Sequence, residues 1–486
     1  MILTIDFGTS LTKVAIWDAD GLVTLARAEL TTTRPELGWA EQEAFGWWTS
    51  VVVACAEARA AAPGAFGAVE VLGCSGARQT FVPVNAGAEP LGRALVWSDR
   101  RAGAEAAELA AECGGQAAVR ALTGVPLDAG SVAAKVAWLE RHEPSRLAAS
   151  DWLLTPRDLV VWRLTGELAT DTTQASRSGL YDLDGSVVDG LAGAARCRLA
   201  PVVPPDTVIG RLRAVPAASL GLAPGIPVVI GAGDRQCEVI GAGASAAHPM
   251  VSWGTTANVS VPQSVRPDPL PDGLVLSRSA DGGWLLEGGL SAAGSLLAWL
   301  GQLVGRDPAE LARLATTSGP GARGVVAVPW LDGARAPWWS ERARAGFVGL
   351  GAAHDAGDLA RAAVEAVAWE VARCLAAVVA GGADPPVGLT LAGAGATLGV
   401  WTHVLTSVTG LPAERRRSGE AASAGAAVLA GRAAGSPVDL DRIDPVDAEL
   451  APDPGEVARY AELAPTAERV AATLVDLSTS PSPSGP

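Results

Sequence analysis

Ile2-Leu3-Thr4-Ile5-Asp6-Phe7-Gly8-Thr9-Ser10, followed by Leu11-Thr12-Lys13-Val14-Ala15-Ile16-Trp17, reads as two strands around a turn of small residues. Asp18-Ala19-Asp20-Gly21 makes the next turn, and Leu22-Val23-Thr24-Leu25-Ala26 a third strand. The turn returns about half the chain later: Phe7-Gly8-Thr9-Ser10 is echoed by Trp253-Gly254-Thr255-Thr256. A strand ending in Gly-Ala-Gly also occurs twice, at Ile230-Gly231-Ala232-Gly233 and at Ala392-Gly393-Ala394-Gly395. Such self-similarity marks a duplicated unit. Gly8 and Gly231 lie 223 residues apart, Gly254 and Gly393 only 139, so the first copy carries 84 extra residues. Two related lobes imply a cleft between them, with substrate specificity in the larger.

Further strands are expected at Val69–Cys74 and Pro227–Gly231, and alanine-rich helices at Trp47–Ala61 and Ala102–Glu112. Strands alternating with helices give an α/β fold with a mainly parallel sheet. Residues 358–381 read as a helix: Asp358 can cap it, Val364, Val367, Val371, Leu375 and Val378 share one apolar face, and Gly381-Gly382 ends it. The join between copies falls near residue 245, before Met250. The spacing divides the chain into domains at 1–245 and 246–436, a helical extension at 437–478, and a disordered tail at 479–486, where only proline among the side chains is apolar.

At 486 residues the chain exceeds one hydrophobic core, so two or three domains are expected from length. Its formal net charge of −15 repels phosphate backbones and anionic lipid, which argues against nucleic acid and membrane partners. Any anionic ligand must then be held by local groups. The N-terminus has no basic leader and no run of about 18 apolar residues occurs, so a cytoplasmic protein is expected. The six cysteines are too scattered for a disulfide framework or a zinc site and read as buried small hydrophobes in a reducing compartment. The four histidines show no ligand spacing. Of 37 basic residues only Lys13 and Lys135 are lysines, which singles out two places for a compact ammonium.

At Gly8 the backbone can approach a phosphate closely, and the Thr9 and Ser10 amides and hydroxyls can donate to its oxygens. Asp6, at the strand end, suits Mg²⁺ held through water, and Lys13 adds charge from the returning strand. One such turn is a weak signal; with Gly254-Thr255-Thr256 it becomes a pair able to clamp one polyphosphate. Asp234 follows a buried strand at the carboxyl edge of the sheet, where α/β folds bind ligands. Two roles fit it equally: a base accepting the proton of an attacking hydroxyl, or a helix N-cap.

Other stretches carry a resemblance. Ala345-Gly346-Phe347-Val348-Gly349-Leu350, Asp358-Leu359 and Ala362-Ala363-Val364-Glu365 match, position by position, the C-terminal signature of the FGGY family of carbohydrate kinases. Lys135-Val136-Ala137-Trp138-Leu139, with Arg141-His142 and Gly130, resembles its N-terminal signature, from which Val132 departs. Leu95–Arg101, Pro156–Leu159, Arg163–Glu167, Thr170-Asp171 and Ala424–Ala427 are also similar, so the likeness spans roughly residues 1–435.

The resemblance implies two duplicated actin/hexokinase-like (ribonuclease H-like) domains with a central cleft, acceptor site and base in the first and ATP site in the second. It implies Asp234 as general base, Asp6 at Mg²⁺, and Thr9, Ser10, Lys13, Gly254, Thr255 and Thr256 at the phosphates of ATP. Gly393, Ala394, Gly395 and Ala396 would line the adenosine site, unless these small residues only permit close packing. Arg78, Gln79, Trp97, Asp234 and Arg235 are the candidates for holding the acceptor; Arg78 can instead pair with a carboxylate, and Trp97 can equally be core. Arg78-Gln79-Thr80 fits neither the Arg-Glu-Thr of glycerol kinases, which Arg78 and Thr80 match, nor the Met-His-Gly of xylulokinases fully, and Gly130 stands where glycerol kinases have tyrosine. Trp338-Trp339 is expected on a loop over the cleft or as an interface patch.

The expected activity is ATP-dependent phosphorylation of a small sugar or polyol, a pentulose such as xylulose first, by the match to xylulokinase-like members. Glycerol or a tetritol is the alternative acceptor. A nucleotide-gated interaction protein, like the actin and chaperone members of the superfamily, is the alternative of another class. A homodimer is compatible with this reading.

Overall fold

The computed structural model describes residues 1–479; the expected tail lies outside them, apart from Thr479, which ends a helix. The chain forms two compact units. The first comprises Met1–Gly243, Val275–Trp284 and Glu420–Pro445, the second Ala244–Leu274, Leu285–Gly419 and Val446–Pro486. The first cut lies at residue 243, but two later segments rejoin the first unit, so no single boundary divides the chain.

In the first unit β1 (Ile2–Phe7), β2 (Leu11–Trp17), β3 (Leu22–Glu29), β4 (Val71–Gly76), β5 (Val208–Arg211) and β6 (Pro227–Gly233) form one sheet. Its order is β3-β2-β1-β4-β6-β5. β1 to β3 make the expected antiparallel ribbon, with Asp6 opposite Lys13. β4 runs parallel to both β1 and β6, and β5 is antiparallel at the edge. Leu3, Ile5, Phe7, Ile16, Trp47, Val51, Leu72 and Ile230 are buried in its core. β4 and β6 end two residues later than the sequence reading placed them.

The second unit repeats this plan. β7 (Met250–Trp253), β8 (Ala257–Gln263), β9 (Trp284–Leu290), β10 (Leu389–Ala392), β11 (Ala413–Arg416) and β12 (Val446–Leu450) are six of the seven strands of one sheet, in the order β9-β8-β7-β10-β11-β12. β7 and β8 are an antiparallel hairpin, β10 runs parallel to β7 and β11, and β12 is antiparallel at the edge. Strand order and direction thus carry the duplication read from the Gly-Thr turns. Residues 437–479 are more than a helical extension, because they supply β12 before the helix Pro454–Thr479.

The long helix is Ala356–Ala380. Asp355 caps it, and Asp358, the expected cap, closes the capping box from the third position. Gly381 ends it as expected. Cys55, Cys74, Cys237 and Cys374 are buried free thiols; burial pushes Cys74 up to about 12, so it is inert at neutral pH. Among the described residues no helix is long and apolar enough to cross a membrane.

Candidate active site

The β1–β2 turn is closed by the Gly8 amide on the Leu11 carbonyl (3.0 Å), leaving Thr9 half-buried and Ser10 exposed. Two side chains hold Thr9. The Trp97 indole N–H donates to its Oγ1 (2.8 Å) and the Gln42 amide to its carbonyl (2.6 Å). With Oγ1 already accepting, the Thr9 hydroxyl keeps its own proton for a ligand. Lys13 Nζ donates to Glu420 (2.7 Å), which also takes Arg27 (2.7 Å), so the first unit's late segment balances the ammonium.

Asp6 sits beneath this turn, 6% exposed, and its Oδ1 is buried without a hydrogen-bond partner. Burial, opposed mainly by Lys13 and reinforced by Asp234 and Glu420, raises its pKa to about 6. Among the described residues no cluster of three or more His, Cys, Asp or Glu forms a metal cage. A single carboxylate with an orphaned oxygen still suits Mg²⁺, which keeps several waters and takes the rest of its ligands from phosphates.

Asp234 is the first residue of the helix Asp234–Ala242, directly after β6, and Gly233 is its N-cap. The capping alternative does not describe it: its Oδ1 accepts only its neighbour's amide, Arg235 N (2.7 Å), and the carboxylate is 43% exposed. Arg78 Nε lies 3.5 Å from the same oxygen. The approach to Asp234 is tight. At Gly231, with φ +71, a Cβ would lie 1.6 Å from the Cys74 carbonyl oxygen, so only glycine lets β6 run this close to β4. The helix is then wedged against Ala421–Ala433, where a Cβ on Gly425 would meet the Cys237 carbonyl at 1.9 Å.

The acceptor candidates arise from β4. Gln79 has φ +58, and buried Lys135 donates to its carbonyl (2.9 Å) and to that of Val96 (2.7 Å). Thr80 Oγ1 accepts the Trp97 amide (3.0 Å), so one tryptophan joins the Arg78–Thr80 loop to the Thr9 turn. Gly130 is no empty place: a Cβ there would lie 2.5 Å from Arg100 Nη1. Arg235 pairs with Glu238.

In the second unit Gly254 and Thr255 are exposed at the β7–β8 turn, and the Gly254 amide donates to Thr256 O (2.9 Å). Gly393 and Ala394 lie at the mouth of the next loop, while Gly395 and Ala396 are buried. A Cβ on Gly395 would lie 1.6 Å from Trp253 Cδ1, so close packing accounts for that glycine. Trp338 and Trp339 are tied down within this unit rather than forming a free patch: Trp338 lies edge-on to Trp330 and Trp339 donates to the Gly273 carbonyl.

Residues 1–241 match the N-terminal domain of the FGGY family of carbohydrate kinases and residues 250–434 its C-terminal domain. The chain belongs to that family. It is an ATP-dependent carbohydrate kinase acting on a sugar or polyol. The xylulose kinase of Escherichia coli K12 is 30% identical over 496 residues, covering 98% of this chain and all of that protein (100%). The glycerol kinase of Acidovorax sp. JS42 is 31% identical over 467 residues, covering 91% and 92%. In structure it is similar to the xyloylose kinase of Brucella ovis, with a TM-score of 0.90, 28% identity and coverage of 98% and 99%.

Sequence reasoning passed over Glu420, Gln42, Thr173 and Gln174, none of which stands in a motif with an obvious chemical role. Lys135 was visible as a rare lysine, but its task was not.

Proposed function

We propose that this kinase phosphorylates a pentulose such as xylulose, with Asp234 as general base. The observation that carries the base is its setting: an accessible carboxylate at the start of a helix, at the carboxyl edge of the sheet, with Arg78 as counter-charge. Asp234 takes the proton of the acceptor hydroxyl as its oxygen bonds to the γ-phosphorus, and the bond from that phosphorus to the bridging oxygen breaks to leave ADP. Arg78 and Gln79 orient acceptor hydroxyls, Trp97 lies against its C–H groups, and Arg235 borders the site. Thr9, Ser10 and Lys13 in the first unit, and Thr255 and Thr256 in the second, donate to phosphate oxygens, Gly254 keeping its turn free of a side chain; Gly393 and Ala394 receive the adenosine, with buried Gly395 and Ala396 packed behind them. Mg²⁺, held through water by Asp6, would neutralise charge on the transferring group.

Support for a pentulose comes from full-length coverage by the E. coli xylulose kinase and from Gly130, beside which Arg100 fills the space available to a larger side chain. Glycerol remains the second reading, because a glycerol kinase is as similar in sequence. Acceptor-dependent ADP release over xylulose, ribulose, fuculose, erythritol, gluconate and glycerol tests this. The largest kcat/KM is expected with a pentulose; a preference for glycerol or erythritol would replace that assignment.

A further inference from the structure

We propose that Thr173 and Gln174 are positioning residues for phosphoryl transfer, fixing the segment that carries Asp234 and the loop that carries Arg78 to a single helical turn. The proposal rests on Asp234 being the base.

Thr173 is fully buried. Its hydroxyl donates to Asp171 Oδ1, and its oxygen accepts the Gly233 amide (2.9 Å). Asp171 therefore sets which way that hydroxyl points: its proton faces the carboxylate and a lone pair faces Gly233. Asp171 is itself held, since its Oδ1 takes the Thr173 amide (2.7 Å) and its Oδ2 takes Arg157 Nη1 (2.6 Å). The same guanidinium nitrogen reaches the Gly231 carbonyl (3.2 Å). Two points on the last turn of β6 are thus pinned, and the next residue is Asp234.

Gln174, 5% exposed, works on the other strand. Its amide nitrogen donates to the carbonyls of Gly76 (3.0 Å) and Ala77 (3.3 Å), at the end of β4. The residue after Ala77 is Arg78, whose Nε lies 3.5 Å from Asp234 Oδ1. Neighbouring side chains on the helix Thr172–Arg177 therefore hold the two backbones from which the base and its counter-charge project. Each pinned segment stops one residue short of a functional side chain. A network that only stabilised the fold would have no reason to end there on both strands. Small displacements of reacting groups are costly: about 1 Å is enough to lose roughly 10²-fold in rate.

The test uses the full chain and compares Thr173→Val, Thr173→Ser, Gln174→Met and Asp234→Asn in kcat and KM, using the best acceptor of the panel, with ADP affinity and Tm as controls. Thr173→Val is expected to lower kcat by about 10- to 100-fold with KM for ATP and ADP affinity unchanged, and Thr173→Ser to restore most of it. Gln174→Met is expected to lower kcat/KM for the acceptor by about tenfold or more. A folded Thr173→Val with wild-type kcat, alongside an inactive Asp234→Asn, overturns the positioning role and leaves the base intact. If Asp234→Asn keeps its turnover, the base assignment fails and the proposal with it. Should Thr173→Val not fold, Gln174→Met decides: wild-type kcat/KM overturns the proposal, and a tenfold loss with ADP affinity retained supports it.

Discussion

Replacing Lys135 by methionine exposes how the acceptor loop is held. Lys135 is fully buried, yet Asp99 and Asp128 lie near enough to favour its charge, and its ammonium carries the carbonyls of Gln79 and Val96. Burial outweighs the two aspartates, with Arg100 and Arg101 adding to it, and the pKa falls from 10.5 to about 7. That gap corresponds to about 5 kcal/mol. The sign follows from which state keeps the proton: between pH 7 and 10.5 the unfolded chain holds it and the folded chain does not. The penalty is therefore complete below pH 7 and fades as pH rises towards 10.5. Methionine abolishes this dependence but costs the half-buried Gln79 carbonyl its donor, at about 1–3 kcal/mol, while the Val96 carbonyl keeps the Asp99 amide (3.0 Å). Near neutral pH relief of the penalty outweighs the lost hydrogen bond and the variant is the more stable; in alkali the penalty is gone and the order reverses. Thermal unfolding across that window should show the wild type gaining roughly 10 °C relative to Lys135→Met, at about 2–4 °C per kcal/mol. Because Gln79 holds φ +58 under this clamp, KM for the acceptor should rise by about tenfold as well. A Tm difference that stays flat over the window would refute the buried ammonium.

Two further substitutions separate packing from chemistry. Trp97→Phe keeps an aromatic wall but removes the N–H held by Thr9 Oγ1, so kcat should fall by about fivefold, the worth of roughly one hydrogen bond; a rise in acceptor KM with kcat unchanged would reassign the ring to acceptor contact alone. Gly395→Ala drives a methyl group into Trp253, so Tm should drop by an amount equivalent to about 1–3 kcal/mol and KM for ATP should rise; a wild-type Tm would show that this loop has room to spare.

The parts of this structure legible in the sequence are those with local causes. Alternating apolar residues around Gly8-Thr9-Ser10 announce a hairpin, and its repetition at Gly254 announces a second. The start of the Ala356–Ala380 helix was misread because Asp355 and Asp358 are both able caps, and only backbone geometry distinguishes cap from partner. The return of Glu420–Pro445 to the first unit left no local mark, since it depends on Thr4, Lys13 and Trp17 meeting residues some 400 positions away. Gln174 was invisible for the same reason: it acts on carbonyls 97 and 98 residues earlier, and carbonyls have no sequence signature. The places of Asp6 and Asp234 at strand ends were legible, because each closes an apolar run that marks its strand.

The most direct measurement is phosphoryl transfer by Asp234→Asn, followed as acceptor-dependent ADP release, with nucleotide binding by calorimetry on the same sample. Removing the base should lower kcat by about 10²- to 10⁴-fold while ADP affinity stays at the wild-type value. Near wild-type turnover in that variant would contradict the role given to Asp234.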